Sequence, residues 1–306
     1  MSSAPKSCEL DSLPASLIQD YVDDLLPFLT LLCNRSLQEG VLPDSQKRSV
    51  VFPALKRDGL DLKDPSNFRP ISNVSFLSKI IEKIVSEQIT SYLSTNDLLP
   101  KYQSGFRRGH STETLLLRLL SDCYGAIDGR RVTLLALFDV SAAFDTVDHQ
   151  ILINRLSVSF GLSGLPLDWI TSFLAGRSSC VVLGTSRSPW ALAPFGLPQG
   201  SVLAPLLYLL YTSDIGTLLS SYGVLSQLYA DDTQAYLHCP STSAMGAART
   251  MHQAMGALAD WMSSNRLRLN AQKTKFIWLG NRQQLAKLNL DALSAEFPTM
   301  SFSQVV

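Results

Sequence analysis

Residues Val132-Thr133-Leu134-Leu135-Ala136-Leu137-Phe138 form an apolar run that stops at an acid, Asp139. A run of this length and composition reads as a strand covered on both faces, so a sheet must surround it and other elements must pack above and below. Asp139 then stands at the strand's C-terminal end. An acid there is expensive unless it is solvated, paired or bound to a cation.

A second stretch has the same character. Tyr229-Ala230-Asp231-Asp232 lies between Leu225-Ser226-Gln227-Leu228 and Thr233-Gln234-Ala235-Tyr236-Leu237, with no Lys or Arg close by. Strand, two-residue acidic turn, strand predicts a β-hairpin whose tip carries the paired acids. An ordinary surface turn is the plain alternative, because Asp is a common turn residue. The other reading is oxygen ligation of a hard divalent cation. If the two strands are neighbours in one sheet, Asp139, Asp231 and Asp232 converge into a cage suited to two Mg²⁺ ions, with Mn²⁺ as a substitute. Such cages perform in-line phosphoryl or nucleotidyl transfer.

The rest of the composition narrows the field. The 306 residues are 46% hydrophobic, enough for a large core. Twenty-six acids balance 26 bases, so nucleic-acid binding must come from local patches and is expected to be weak and salt-sensitive. Basic residues crowd the first half, among them Lys56, Arg57, Arg69, Lys79, Lys83, Arg107 and Arg108. The five Cys are scattered and the four His stand alone. That pattern argues against a disulfide framework and a zinc site, and predicts a reducing, intracellular setting. The first residues lack the apolar core of a signal peptide, and the longest apolar runs are too short to span a membrane.

Along the chain, apolar spacing predicts helices over 13–37, 76–93, 146–156, 166–174, 202–211 and 244–265, and strands over 49–55, 178–184 and 276–279. Tyr21-Val22-Asp23-Asp24 mimics the hairpin motif, but its helical context makes it a solvated helix face. Asp145, followed by Asp148, reads as a helix N-cap with an acid three residues on. Gln103-Ser104-Gly105-Phe106-Arg107-Arg108-Gly109-His110 offers guanidinium forks suited to phosphate, against the alternative of a solvated loop. In Pro198-Gln199-Gly200-Ser201, the absence of a side chain at Gly200 would let a substrate approach the backbone closely. After Gly280 the sequence is polar and weakly patterned.

Phe138-Asp139…Ala143-Phe144-Asp145, Pro198-Gln199-Gly200-Ser201, Tyr229-Ala230-Asp231-Asp232 and Asn270…Lys273-Thr274 resemble, in that order, the palm motifs of reverse transcriptases. Arg69-Pro70-Ile71-Ser72-Asn73, Ser78-Lys79-Ile80-Ile81-Glu82-Lys83 and Gln103-Ser104-Gly105-Phe106-Arg107 with His110-Ser111-Thr112 resemble the fingers motifs of LINE-type (non-LTR) retrotransposon enzymes. The resemblance covers about residues 35–280. It implies an α+β, right-hand polymerase fold with fingers, an antiparallel palm sheet backed by helices, and a truncated or absent thumb. The implied segments are an N-terminal helical extension (1–45), fingers (46–130), a first palm segment (131–160), a connection (161–195), the remaining palm (196–280) and a tail or start of a thumb (281–306).

The resemblance further implies an RNA-directed DNA polymerase with an RNA template, a DNA primer and dNTPs as partners, and leaves oligomeric state open. Asp139, Asp231 and Asp232 would hold the metal ions, with Asp232 the less critical. Lys273 would protonate the leaving pyrophosphate. Phe144 would lie under the sugar and exclude a 2′-hydroxyl. Gln199 and Gly200 would contact the nucleotide and template, and Arg69 and Arg107 the triphosphate. Phe276, Leu279 and Gly280 would grip the primer end. The endonuclease, thumb and Cys/His knuckle of such elements have no counterpart in these residues, which implies a piece of a longer reading frame or a degraded copy. A catalytically inactive nucleic-acid-binding remnant is therefore an alternative. An RNA-dependent RNA polymerase is another, opposed by Phe144 and by Tyr229-Ala230 ahead of the acids.

Overall fold

The computed structural model describes residues 8–11, 13–270 and 273–305. Helices α1 (Ala15–Asp20) and α2 (Val22–Glu39) follow the expected apolar spacing, and Gly40 in the left-handed region ends α2. Strands β1 (Arg48–Leu55) and β2 (Phe68–Asn73) precede α3 (Phe76–Thr95), whose first turn is capped by the Ser75 hydroxyl accepting from the Ser78 amide. Ser111 and Thr114 form a reciprocal capping box at the start of α4 (Thr112–Asp128). Then come β3 (Val132–Phe138), β4 (Val140–Ser141), α5 (His149–Val158), α6 (Leu165–Leu174), β5 (Ser178–Leu183), β6 (Ser186–Arg187), β7 (Ala191–Leu192) and α7 (Ala204–Tyr211). The remaining elements are α8 (Ile215–Ser221), β8 (Leu225–Tyr229), β9 (Asp232–Cys239), α9 (Ala244–Ser264), β10 (Arg268–Leu269), β11 (Lys275–Leu279), α10 (Arg282–Leu285), α11 (Leu290–Glu296) and β12 (Phe302–Val305).

These elements fall into two compact units, one from residues 1–99 and 144–210, the other from 100–143 and 211–306. In the first, β1 pairs antiparallel with β2 and parallel with β5, while β6 and β7 both pair with β5. Pro53 lies opposite Pro70, beyond the last β1–β5 pair at Val51, where a missing N–H breaks no ladder bond on that side. Helices α2, α5 and α6 pack together around Trp169 and Phe173, and the Trp169 indole N–H donates to Ser36 Oγ at 2.9 Å.

In the second unit the strand order is β12-β11-β3-β9-β8, with β3 in the centre. Its neighbours β11 and β9 are both antiparallel to it, β8 is antiparallel to β9, and β12 is parallel to β11. Every β3 residue except half-buried Leu137 is buried. Leu135 and Tyr236, directly opposite one another, pack on Leu119 and Cys123 of α4 with Leu137 and Leu279. Residues of the other parity, Leu134 and Ala136, lie opposite Trp278 and Phe276 on the far face. Helix α9 packs against β9, β10 and α8. The expected α+β class is the one observed, with a sheet that is antiparallel except for the β11–β12 pair and is backed by helices.

Each unit is built from two separate stretches of the sequence. Residues 100–130, expected in the fingers, join the second unit because α4 turns Leu115, Leu119, Cys123 and Ala126 inward, with Leu119 and Cys123 against β3 and β9. Residues 144–160, expected with the first acid, join the other unit. Past Gly280 the weak pattern conceals α10, α11 and β12, whose mainly exposed residues leave little hydrophobic signature. Among the described residues no helix is long and apolar enough to cross a membrane.

Candidate active site

The hairpin forms, with one change in its tip. Tyr229 pairs with Asp232, so the turn residues are Ala230 and Asp231 rather than the two acids, and Asp232 is already the first residue of β9. Ala230 takes φ 56°, in the left-handed region where a Cβ is strained. Phe138 of β3 lies opposite Thr233, and continuing that register by one residue sets Asp139 opposite Asp232. The sheet topology thus brings the first acidic segment and the hairpin together, as the apolar run and hairpin had suggested.

The loop carrying Lys273 is anchored to the same place. Arg268 and Leu269 pair with Ser141 and Val140, and the Asn270 amide donates to the Asp139 carbonyl at 2.8 Å. Asn270 in turn accepts from Lys273 N and Thr274 N through its carbonyl, and from Thr274 Oγ1 at 2.9 Å. Lys273 Nζ consequently comes within 3.4 Å of Asp139 Oδ2. Asp139, Asp232, Lys273 and Lys275 line one open cavity of about 430 Å³, floored by Leu137 and Phe138.

Electrostatics register the crowding of acids. Partial burial pushes the Asp232 carboxyl above its usual range, and the charges of Asp231 and Asp139 push it further in the same direction. Three hard oxygen donors in a field that disfavours more negative charge are a donor set that fits a divalent cation. Among the described residues, though, no three His, Cys, Asp or Glu side chains are gathered tightly enough to form a finished cage; Asp139 instead leans toward Lys273.

Two supports beneath these features were not singled out from sequence. The first is Gln103, whose side-chain amide bonds both backbone groups of Ala230, at 3.0 Å and 3.2 Å. Its neighbours Gly105 and Arg107 carried the signal in the motif, and nothing in a linear reading ties Gln103 to a turn so far along the chain. The second, in the other unit, is Glu82, fully buried in α3. Its carboxylate accepts from Ser78 Oγ, Ser201 Oγ, Val202 N at 2.8 Å and Leu203 N at 3.2 Å, and so holds the loop that carries Gln199 and Gly200. Helical periodicity marks Glu82 as a core-facing position, and a buried acid there was the available signal.

That same unit contains Phe144, Gln199, Gly200 and Arg69. Phe144 is half-buried and stacks on Tyr208, centroids 4.6 Å apart and planes 18° from parallel. Gln199 Nε2 donates to Asp145 Oδ1 at 3.0 Å, and its carbonyl accepts from Ser72 N at 2.6 Å. Asp145 is therefore no helix cap. Asp148 caps α5, accepting from Gln150 N and Ile151 N, because only a residue at the helix start faces those amides. Burial raises the Asp145 carboxyl pKa, while Gln199 and the charge of Lys56 oppose the rise. Gly200 answers a demand of the fold: at φ 125°, a Cβ there would lie 2.3 Å from the Ser72 carbonyl oxygen. Arg69 is exposed on β2. Arg107, in the second unit, directs Nη1 to the Pro100 carbonyl at 3.1 Å.

A family described as reverse transcriptase (RNA-dependent DNA polymerase) matches residues 55–296. The chain belongs to the reverse transcriptase family. Among similar proteins, the probable RNA-directed DNA polymerase from transposon BS of Drosophila melanogaster is 31% identical over 274 residues, 88% of this chain and 30% of that protein. The RNA-directed DNA polymerase from mobile element jockey of the same species is 28% identical over 277 residues, 89% of this chain and 30% of that protein. The probable polymerase from its X-element is 30% identical over 188 residues, 61% of this chain and 20% of that protein. Within the reverse transcriptases, the chain is thus of the LINE-type (non-LTR) retrotransposon kind. It spans 30% of the length of the first two relatives. Among solved structures, apo telomerase from Candida tropicalis, truncated from its C-terminal domain, superposes with a TM-score of 0.57 at 13% identity. That match covers 82% of this chain and 55% of the telomerase, and shows a shared fold.

One group of expected site residues lies within the sheet of the second unit. The Phe276 side chain is 1% exposed and makes ring contacts with Phe138 and Phe302. Leu279 packs against the α4 cluster, and Gly280 is buried where a Cβ would lie 3.1 Å from Val132 Cγ1. Strand β11 is bonded on both edges, by β3 and β12. Phe276 therefore serves the core, and Leu279 is half-buried.

Proposed function

We propose that this chain is the polymerase core of a non-LTR retrotransposon reverse transcriptase, adding deoxynucleotides to the 3′-hydroxyl of a DNA primer on an RNA template. The observation that carries the reading is the register that sets Asp139 opposite Asp232, with Asp231 in the adjoining turn and Lys273 at 3.4 Å from Asp139. We assign the palm to the sheet of the second unit and the ligation of two Mg²⁺ ions, or Mn²⁺, to Asp139, Asp231 and Asp232. When bound, the ions would lower the pKa of the attacking hydroxyl and neutralise charge developing at phosphorus.

The chain's own side chains supply the rest. Lys273 Nζ lies 3.4 Å from Asp139 Oδ2 and would serve as the proton donor to the leaving pyrophosphate. The Phe144 ring, backed by Tyr208, presents a flat surface to the sugar and excludes a 2′-hydroxyl. Asp145 fixes the amide of Gln199, leaving its oxygen to accept a bond from the nucleotide. Arg69 and Arg107 offer forks to the triphosphate. A template of RNA places the working protein in a ribonucleoprotein of the nucleus or cytoplasm.

The test is primer extension on an RNA template with Mg²⁺, comparing dNTPs with rNTPs and including Asp231→Ala. Extension with dNTPs that falls by at least about 10³-fold in the variant is expected. A well-folded sample without extension would replace this reading with that of a nucleic-acid-binding remnant.

A further inference from the structure

Ala230 occupies a conformation that its own side chain disfavours, and it directly precedes Asp231. A non-glycine residue stays in the left-handed region when its surroundings hold it there. The surroundings here are unusually specific. Gln103 is 2% exposed, and its Oε1 accepts from Ala230 N at 3.0 Å and from Gly105 N at 2.8 Å, while Nε2 donates to Ala230 O at 3.2 Å. One side chain therefore bonds both the donor and the acceptor of the strained residue. The segment around it runs parallel to the hairpin: Leu228 N donates to Tyr102 O, and Ser104 N donates to Leu228 O, each at 2.8 Å. Gly105 completes the contact, since a Cβ at that position would lie 2.2 Å from Ala230 N.

We infer that Gln103 is a positioning residue for metal binding, setting where Asp231 points by clamping Ala230 in its left-handed turn. This rests on the reading of the hairpin as the metal-ligating element. The side chain does not itself reach the cation; it acts through the backbone that bears the ligand, as supporting groups around metal ligands do. A core amide serving only to fill space would need neither bond to Ala230, and its replacement would alter stability without altering the cation affinity of a protein that still folds.

Calorimetric titration with Mn²⁺, alongside melting curves and primer extension, separates these roles. The proteins are wild type, Gln103→Met, Ala230→Gly and the double variant. Gln103→Met keeps the volume and loses every bond to the turn. It is expected to weaken Mn²⁺ binding by about tenfold and to lower kcat by a similar factor, with KM for primer–template unchanged. Ala230→Gly is expected to recover part of that loss in the double variant, because glycine adopts φ near 56° without strain and no longer depends on the clamp. Should Gln103→Met fail to fold, Gln103→Glu takes its place, keeping the acceptor toward Ala230 N and losing the donor toward Ala230 O. Mn²⁺ affinity within twofold of wild type, or a loss that Ala230→Gly does not recover at all, overturns the proposal while wild-type extension leaves the polymerase reading standing. A wild-type protein that neither binds Mn²⁺ nor extends a primer overturns both.

Discussion

At the scale of single residues, Phe144 carries the sharpest consequence. Its ring is backed by Tyr208 in a near-parallel stack, which restricts its movement on that side. Under the proposed function, discrimination against ribonucleotides would come from this rigid wall rather than from a mobile group. Phe144→Val removes the wall and is expected to raise rNTP relative to dNTP incorporation by on the order of 10–100-fold; competition between the two nucleotide classes in single-addition assays reads this directly. An unchanged ratio would take the sugar-sensing role away from Phe144. Asp145 shows why neighbouring roles are hard to separate on paper. It and Asp148 are both acids near a helix start, and only the backbone path decides that Asp148 meets the free amides while Asp145 turns to Gln199.

At the scale of elements, β11 illustrates how a motif read from sequence also serves the core. Its alternation of buried Phe276 and Trp278 with more exposed Lys275 and Ile277 is plain strand patterning. Which face is covered depends on β3, β12 and the helices, none of which the alternation names. With Phe276 edge-on to Phe138 and tilted against Phe302, Phe276→Ala is expected to cost about 3–5 kcal/mol of stability. Denaturant unfolding should show that loss. If Phe276 serves the core alone, primer affinity in the folded variant should stay within about twofold, and a tenfold fall in affinity without destabilisation would assign it the primer-grip role. Glu82 makes the complementary point. Sequence offers a helix with one acid on its buried face, and only the arrival of the loop at Ser201, Val202 and Leu203 explains how that acid is satisfied.

For the whole molecule, the balance of 26 acids against 26 bases limits how many phosphates the chain can neutralise. Template binding should therefore be weak and fall by on the order of tenfold between about 50 and 200 mM salt, the slope of a few phosphate contacts. Titration of a labelled primer–template across that range tests it, and tight binding indifferent to salt would contradict it. Much of the architecture was legible beforehand. The apolar run before Asp139, the acids flanked by short strands, and the amphipathic helices are local patterns, and local patterns are set by backbone sterics and burial. So the sequence alone determined the types of the longer elements ahead of Gly280, the acidic hairpin and the family to which the ordered motifs point. Tertiary structure decided what depends on residues far apart in the chain. It brought Asp139 and Asp232 to one cavity, anchored Lys273 through Asn270, tied Gln103 to Ala230, and moved α4 into the unit of the central sheet. Each of these is a contact across many residues, chosen by register and packing rather than by any property of the neighbours in sequence.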